Sequence, residues 1–177
     1  EWSIKALDAG KHVLCEKPMS RNPEEVAAAF DAAERNGMLL SEAFMYRHNP
    51  QTKRLRELVA GGEIGELRLI RSAFSYALYD EGNIRLRTDV EGGALMDVGC
   101  YCISGLRLVG GEPQRARGEH TVGPSGVDVV FAAALAFPDG VLGHFDCAFV
   151  GPRRAALEIV GDDAVIFVPS PFTPTTP

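Results

Sequence analysis

No two of the 19 glycines in this chain are separated by a single residue. The Gly-x-Gly-x-x-Gly turn and the P-loop, the usual Gly-rich cradles for phosphate groups, are therefore both absent from these 177 residues. Cysteine is scarce as well. Cys15, Cys100, Cys102 and Cys147 are too few and too scattered for a disulfide framework, so a reducing cytoplasm is the expected setting. Only Cys100 and Cys102 are neighbours, whereas zinc asks for four ligands at familiar spacings, and no metal is expected. Positive charge is not in excess. Eighteen basic against 24 acidic side chains leave a net charge of −6, which argues against a nucleic-acid partner. No apolar run approaches the roughly 18–20 residues of a membrane span, so no membrane partner is expected either.

What is present is globular in character. The apolar fraction is 46% and the charged fraction 24%, near the averages for folded domains. Trp2 to Ala9 reads as the end of a helix stopped by Gly10, and Lys11 to Cys15 as a short buried strand. Asn22-Pro23-Glu24-Glu25 is a strong helix start, with Asn22 as cap, Pro23 at the first helical position and Glu25 three after the cap. The helix it opens, to Asn36, carries Val26, Ala29, Phe30 and Ala33 on one face. Met38 to Phe44 is a second strand. Helix, strand, helix, strand implies a parallel sheet with helical crossovers. A chain that enters partway through such a repeat is expected to continue a longer polypeptide.

The character then changes. Asn49-Pro50 opens another helix, which runs to about Ala60. Glu66 to Tyr79 has strand character, with Leu67, Leu69, Ala73 and Ser75 alternating against polar positions. Gly92-Gly93 precede a helical segment, Ala94 to Val109, closed by Gly110-Gly111. Most of the rest reads as strands. Pro138-Asp139-Gly140 and Gly161-Asp162-Asp163 supply two hairpin turns, and the stretch from Pro169 to Pro177 reads as loop or tail. The expectation is a parallel α/β piece followed by an α+β piece, an open, mostly antiparallel sheet with a helix packed on it.

Two short segments could carry chemistry. Cys15-Glu16-Lys17-Pro18 directly follows a predicted parallel strand, and ligand sites in open α/β sheets lie beyond the carboxyl ends of strands. A lysine there offers a fixed positive charge and a donor, although an ordinary surface turn has the same sequence. In Gly92-Gly93-Ala94-Leu95-Met96-Asp97-Val98-Gly99-Cys100-Tyr101, Asp97 and Tyr101 are four apart and share a helix face. A tyrosine near a cation is a plausible proton-transfer group; the alternative is a helix-start acid and a half-buried phenol.

Taken together, the segments Ala9 to Pro18, Glu42 to Pro50, Gly65-Glu66 and Gly92 to Tyr101 resemble the Gfo/Idh/MocA family of NAD(P)-dependent oxidoreductases. Many members put histidine four after the aspartate. Tyr101 stands there in this chain, which is thus more similar to the branch of glucose–fructose oxidoreductase, dihydrodiol dehydrogenase and xylose dehydrogenases. The resemblance implies that residues 1–46 are the C-terminal part of an NAD(P)-binding Rossmann domain and 47–177 a substrate-binding and dimerisation domain. It implies NADP or NAD as cofactor, with NADP favoured. It implies hydride transfer to or from a CH–OH group of a sugar, polyol or diol, and a homodimer or homotetramer formed through the C-terminal sheet.

The resemblance also gives roles. Lys17, Asp97 and Tyr101 would be the catalytic set, with Tyr101 as general acid/base. Glu16, Lys17, Pro18 and Arg47 would face the cofactor. Lys17, Asp97, Tyr101 and His48 would face the substrate. Asn83 and Arg85 read as a solvated loop, and His12 as structural. Two other activities fit the family: a non-catalytic dinucleotide- or sugar-binding regulator, and an NAD-dependent glycosidase.

Overall fold

Residues 1–173 are described by the structure, a computed structural model, in two compact units, Glu1–Phe44 and a second that begins at Met45. The part of the expected loop or tail from Pro174 to Pro177 lies outside the described residues.

In the first unit, α1 (Trp2–Asp8) is ended by Gly10 at φ +71°, a left-handed conformation that glycine adopts without steric cost. Strand β1 (Val13–Cys15) follows, then α2 (Pro23–Arg35) and β2 (Leu40–Glu42), which pairs with β1 in parallel. Asn22 caps α2 as expected, its Oδ1 accepting the Glu24 N–H at 2.9 Å. The reciprocal bond of a capping box is replaced, because Glu25 accepts from the Ser20 hydroxyl at 2.6 Å and the Asn22 N–H donates to that same hydroxyl at 3.0 Å. The buried face of α2 also differs from the expected one. It is Ala29, Ala32 and Ala33, of which Ala32 and Ala33 pack with Leu7, while Phe30 is exposed. Small alanines let α1 and α2 approach closely, and the larger ring is left on the rim.

The second unit is an α+β arrangement around one sheet. After a 3₁₀ turn at Met45–His48 comes α3 (Pro50–Ala60), capped by Asn49, whose Oδ1 accepts the Gln51 N–H at 2.9 Å. Then come β3 (Leu67–Ser75), α4 (Cys100–Gly110), β4 (Arg115–Val122), β5 (Asp128–Ala136), β6 (Leu142–Ala148), β7 (Arg154–Gly161) and β8 (Val165–Val168). The six strands lie in the order β4-β5-β6-β3-β7-β8. Every neighbouring pair is antiparallel except β3 with β6. Both hairpin turns form where expected. Asp139 (φ 58°) and Gly140 (φ 76°) join β5 to β6, with the Phe137 N–H donating to the Val141 carbonyl at 2.9 Å.

Helix α4 covers one face of this sheet. Ile70 and Phe137 meet Gly110, Leu106 meets Gly143, and Cys147 meets Gly99. The face of β3 that α4 covers is Ile70, Ser72 and Phe74, one residue out of step with the alternation Leu67, Leu69, Ala73, Ser75. A single-residue shift moves every side chain to the other face. Ala73 and Ser75 are nevertheless buried, so β3, central in the sheet, is shielded on both faces at this end. The opposite face carries the ion pairs Arg71–Glu158 (3.1 Å) and Arg154–Asp146 (2.7 Å). It also exposes Leu142, Val165 and Phe167.

Candidate active site

In the first unit, β1 and β2 run in parallel and end on the same side. The Cys15 carbonyl accepts the Ala43 N–H at 2.8 Å, so the two exits stay in register. Glu16, Lys17 and Pro18 occupy the turn that follows β1, with a cis Lys17–Pro18 peptide. Glu42, the last residue of β2, accepts the Met19 N–H at 2.8 Å through Oε1 and so closes the turn. No role for Glu42 is legible in the sequence, because the contact spans 23 positions. Lys17 and Pro18 are half-buried and Glu16 is exposed.

In the second unit, Asp97 lies in a π-turn, Leu95–Gly99, that leads directly into α4. The Cys100 N–H donates to the Leu95 carbonyl, five residues back, so the segment expected as continuous α-helix opens with a wider turn. The Asp97 carboxylate is mostly buried. Its Oδ2 accepts from the Tyr76 hydroxyl at 2.8 Å and from Arg85 Nε at 2.9 Å. Arg85 is exposed, as expected of a solvated loop, but its guanidinium is paired with Asp97. Burial and the adjacent carboxylate push the Tyr76 phenol far above its ordinary range, and Asp97 in turn raises Arg85.

Tyr101, one turn further on, is buried rather than half-buried. Its ring packs against Phe74 at 5.7 Å, Phe172 at 5.5 Å and Tyr46 at 6.2 Å between centroids. Its hydroxyl donates to Met45 Sδ at 3.6 Å. Phe74 and Tyr76 are two apart along the strand direction and so lie on one face of the sheet. That face presents Phe74 to Tyr101 and Tyr76 to Asp97.

Behind Tyr101, the Tyr46 hydroxyl shares a 2.8 Å hydrogen bond with Ser104 Oγ, and Thr52 Oγ1 donates to the Tyr46 carbonyl at 2.7 Å. Burial raises the Tyr46 pKa against the opposing effects of Ser104 and Arg47. Arg47 and His48 are exposed on the 3₁₀ turn. His12, in the first unit, has the structural role expected, its Nδ1 accepting the Leu39 N–H at 2.9 Å. Phe172, expected in a loop or tail, is in a loop, but it is fully buried in the aromatic cluster.

The family described as "Oxidoreductase family, NAD-binding Rossmann fold" matches residues 1–44, and the "GFO/IDH/MocA C-terminal domain" matches residues 52–167. The chain belongs to the GFO/IDH/MocA oxidoreductases. Among members of this family, a D-xylose 1-dehydrogenase (NADP(+)) of Haloferax volcanii is 42% identical over 86% of this chain and 47% of its own. The trans-1,2-dihydrobenzene-1,2-diol dehydrogenase of Mus musculus is 34% identical over 97% of this chain and 52% of its own. A solved 3-ketoreductase of Actinomadura kijaniata, in complex with NADP and TDP-benzene, superposes with a TM-score of 0.87 at 33% identity, covering 98% of this chain and 54% of that one. The chain spans about half the length of the curated relatives it matches.

Proposed function

We propose that the full-length protein is an NAD(P)-dependent oxidoreductase that moves hydride between the nicotinamide cofactor and a CH–OH group of a sugar, polyol or diol, or its carbonyl. The observation that supports this reading is Tyr101, its ring held by Phe74, Phe172 and Tyr46, four residues after Asp97, whose carboxylate is oriented by Tyr76 and Arg85. The names of the relatives, a xylose dehydrogenase and a diol dehydrogenase, support the substrate class.

The residues present suit a nicotinamide cofactor. Lys17 is half-buried at the carboxyl end of a parallel strand, in a turn closed by Glu42, where an open α/β sheet binds its ligand. Glu16, Lys17, Pro18 and Arg47 would hold it; NADP is favoured over NAD, as in the xylose dehydrogenase relative. When bound, the cofactor supplies the hydride acceptor or donor. Tyr101 takes the hydroxyl proton during oxidation and returns it during reduction, as general base and acid. Lys17 donates a hydrogen bond to the reacting oxygen, and Asp97 orients the substrate, with His48 as a further contact.

In this reading residues 1–46 complete the cofactor domain, and 47–177 form the substrate-binding and dimerisation domain. The open sheet face, with Leu142, Val165 and Phe167 exposed, takes a second copy of the chain, giving a homodimer or homotetramer. Four free thiols suit the cytoplasm. Among the described residues no helix is long and apolar enough to cross a membrane.

The test is NAD(P)+ reduction by the full-length protein against a panel of aldoses and diols. Lys17→Met and Tyr101→Phe should each lower turnover by about a hundredfold or more, and Tyr101→Phe should do so with cofactor affinity retained. Full activity in both variants sinks the mechanism. A protein that binds cofactor and sugar without turnover would be the regulator instead. One that releases sugar from a chromogenic glycoside without net NADH would be the glycosidase.

A further inference from the structure

Strand β4 (Arg115–Val122) stands at one end of the six-stranded sheet, and each of its eight residues is exposed. Among the described residues it pairs with β5 alone. An open edge of this length is a template for another strand. Proline commonly blunts such edges, and β4 holds none. The opposite edge, β8, has only four residues.

The ladder decides which groups look outward. The Phe137 N–H donates to the Val141 carbonyl at 2.9 Å, and the Phe149 N–H to the Val129 carbonyl at 2.9 Å. Odd-numbered residues of β5 therefore turn their bonding groups to β6, and even-numbered ones to β4. The even-numbered residues lie opposite Arg115, Arg117, Glu119 and Thr121. The main-chain groups of those four point inward, so the N–H and C=O groups of Ala116, Gly118 and His120 point outward. A bulge between Thr121 and Val122 ends the regular run. The usable edge is residues 115–121, with Gly118 at its middle.

The side chains choose one register along this edge. Arg117 and Glu119 flank Gly118 on the open face of the sheet, where Ala134 and Ala132 stand opposite them on β5 and offer no charge. A second copy laid antiparallel, with the two-fold axis through Gly118, exchanges both N–H···O bonds between the two glycines. Arg117 of each copy then faces Glu119 of the other, in the non-hydrogen-bonded position where side chains come closest. An axis through Arg117 sets arginine against arginine, and one through Glu119 sets glutamate against glutamate. Like charges directly opposite are destabilising. Of these registers, only the one through Gly118 pairs opposite charges without opposing like ones.

We propose that β4 is a pairing edge between two copies of this chain, joining their sheets into one across a two-fold axis at Gly118. The contact is separate from the one on the open sheet face and does not need the oxidoreductase reading.

The test is sedimentation velocity of the full-length protein over a concentration series. Arg117→Glu and Glu119→Arg each turn two attractions into two repulsions, and each should raise the dissociation constant of the edge contact by about tenfold or more. An equimolar mixture of the two variants brings opposite charges together again and should recover the parent's mass, which misfolded variants would not do. Ala116→Pro removes an outward N–H and leaves the β5 ladder whole, so it should weaken the contact as well. If the open face is also covered, the parent is a tetramer and the variants are dimers. If it is not, the parent is a dimer and the variants are monomers. Either result supports the edge contact, and the second refutes the face contact. Equal mass in the parent and the single variants overturns the proposal, whatever that mass is, as does a mixture that stays at the variants' mass.

Discussion

Asp128 Oδ2 accepts the backbone N–H of Leu95 at 2.7 Å, so the first residue of β5 caps the π-turn that carries Asp97. Gly93 makes the approach feasible. It sits at φ +130°, and a Cβ there would lie 2.1 Å from Asp128 Oδ1. A helix start leaves several N–H groups without partners in the helix, and a carboxylate brought from a distant strand is a strong acceptor for one of them. Asp128→Ala should therefore lower unfolding free energy by about 1.5–3 kcal/mol. Asp128→Asn, which keeps an acceptor oxygen, should lose less. Gly93→Ala should be destabilising as well, and neither Asp128 variant should rescue it fully, because the positive φ persists. Urea unfolding of the three proteins checks this. An Asp128→Ala protein as stable as the parent would show that the cap contributes nothing.

Phe172 is fully buried, although it lies in a segment rich in proline and threonine. Its ring is stacked on Phe74 at 5.5 Å and meets Tyr46 edge-on at 5.3 Å, and it also supports Tyr101. Removal leaves a cavity beneath the proposed acid/base. Phe172→Ala should cost about 3–5 kcal/mol and Phe172→Leu distinctly less. In the full-length protein the alanine variant should also lose the proposed hydride-transfer activity, because Tyr101 would gain freedom of orientation. A loss below about 1 kcal/mol would mean that the site collapses onto the gap.

These two cases mark the division between what the sequence shows and what it hides. The caps Asn22 and Asn49, the turn at Asp139-Gly140 and the parallel pair β1 and β2 were all readable, because each depends on residues within a few positions or on simple alternation. Lys17 after a strand and the Asp97/Tyr101 spacing were readable for the same reason. What supports them was not. Asp128 is 33 positions from Leu95, and Tyr76 is 21 from Asp97. The inward face of β3 was misread because that strand is shielded on both faces at one end, which blurs the period-two signal. Phe30 and Ala32 exchanged places because close packing of α1 on α2 favours the smaller residue, a preference that hydrophobicity alone does not express. The pairing of Arg85 with Asp97 is not legible because the Gly92-Gly93 contact to the Arg85 loop is itself a tertiary event.

The four thiols should divide into two pairs by reactivity. Cys102 and Cys147 are fully buried between α4 and the sheet, and burial pushes the Cys102 thiol up to about 12 and raises Cys147 as well. Since the thiolate is the nucleophile, both should resist alkylation in the folded protein. Cys15 and Cys100 are half-buried. Iodoacetamide at about pH 8, read by peptide mass spectrometry, should label Cys15 and Cys100 first, with Cys102 and Cys147 following only in urea. Early labelling of Cys102 would show that α4 opens from the sheet under native conditions.

Alkaline pH should test the Tyr76–Asp97 contact directly. Burial and Asp97 raise the Tyr76 phenol, so the folded state keeps this proton at pH values where the unfolded chain, near the ordinary value of about 10, has released it. Above that value the native state binds more protons than the unfolded one, and stability falls as pH rises. Below it the contribution is fully present and does not vary. Tyr46, raised mainly by burial, adds a loss of the same sign. Urea midpoints of the parent should therefore drop between about pH 9 and pH 11. Tyr76→Phe has no proton to lose there. It should start lower at neutral pH, for want of a donor to Asp97, but fall less steeply, and Tyr76→Phe/Tyr46→Phe should fall less steeply still. A Tyr76→Phe protein whose midpoint declines in parallel with the parent would show that the phenol titrates alike in the folded and unfolded chains, and that its bond to Asp97 does not hold the proton.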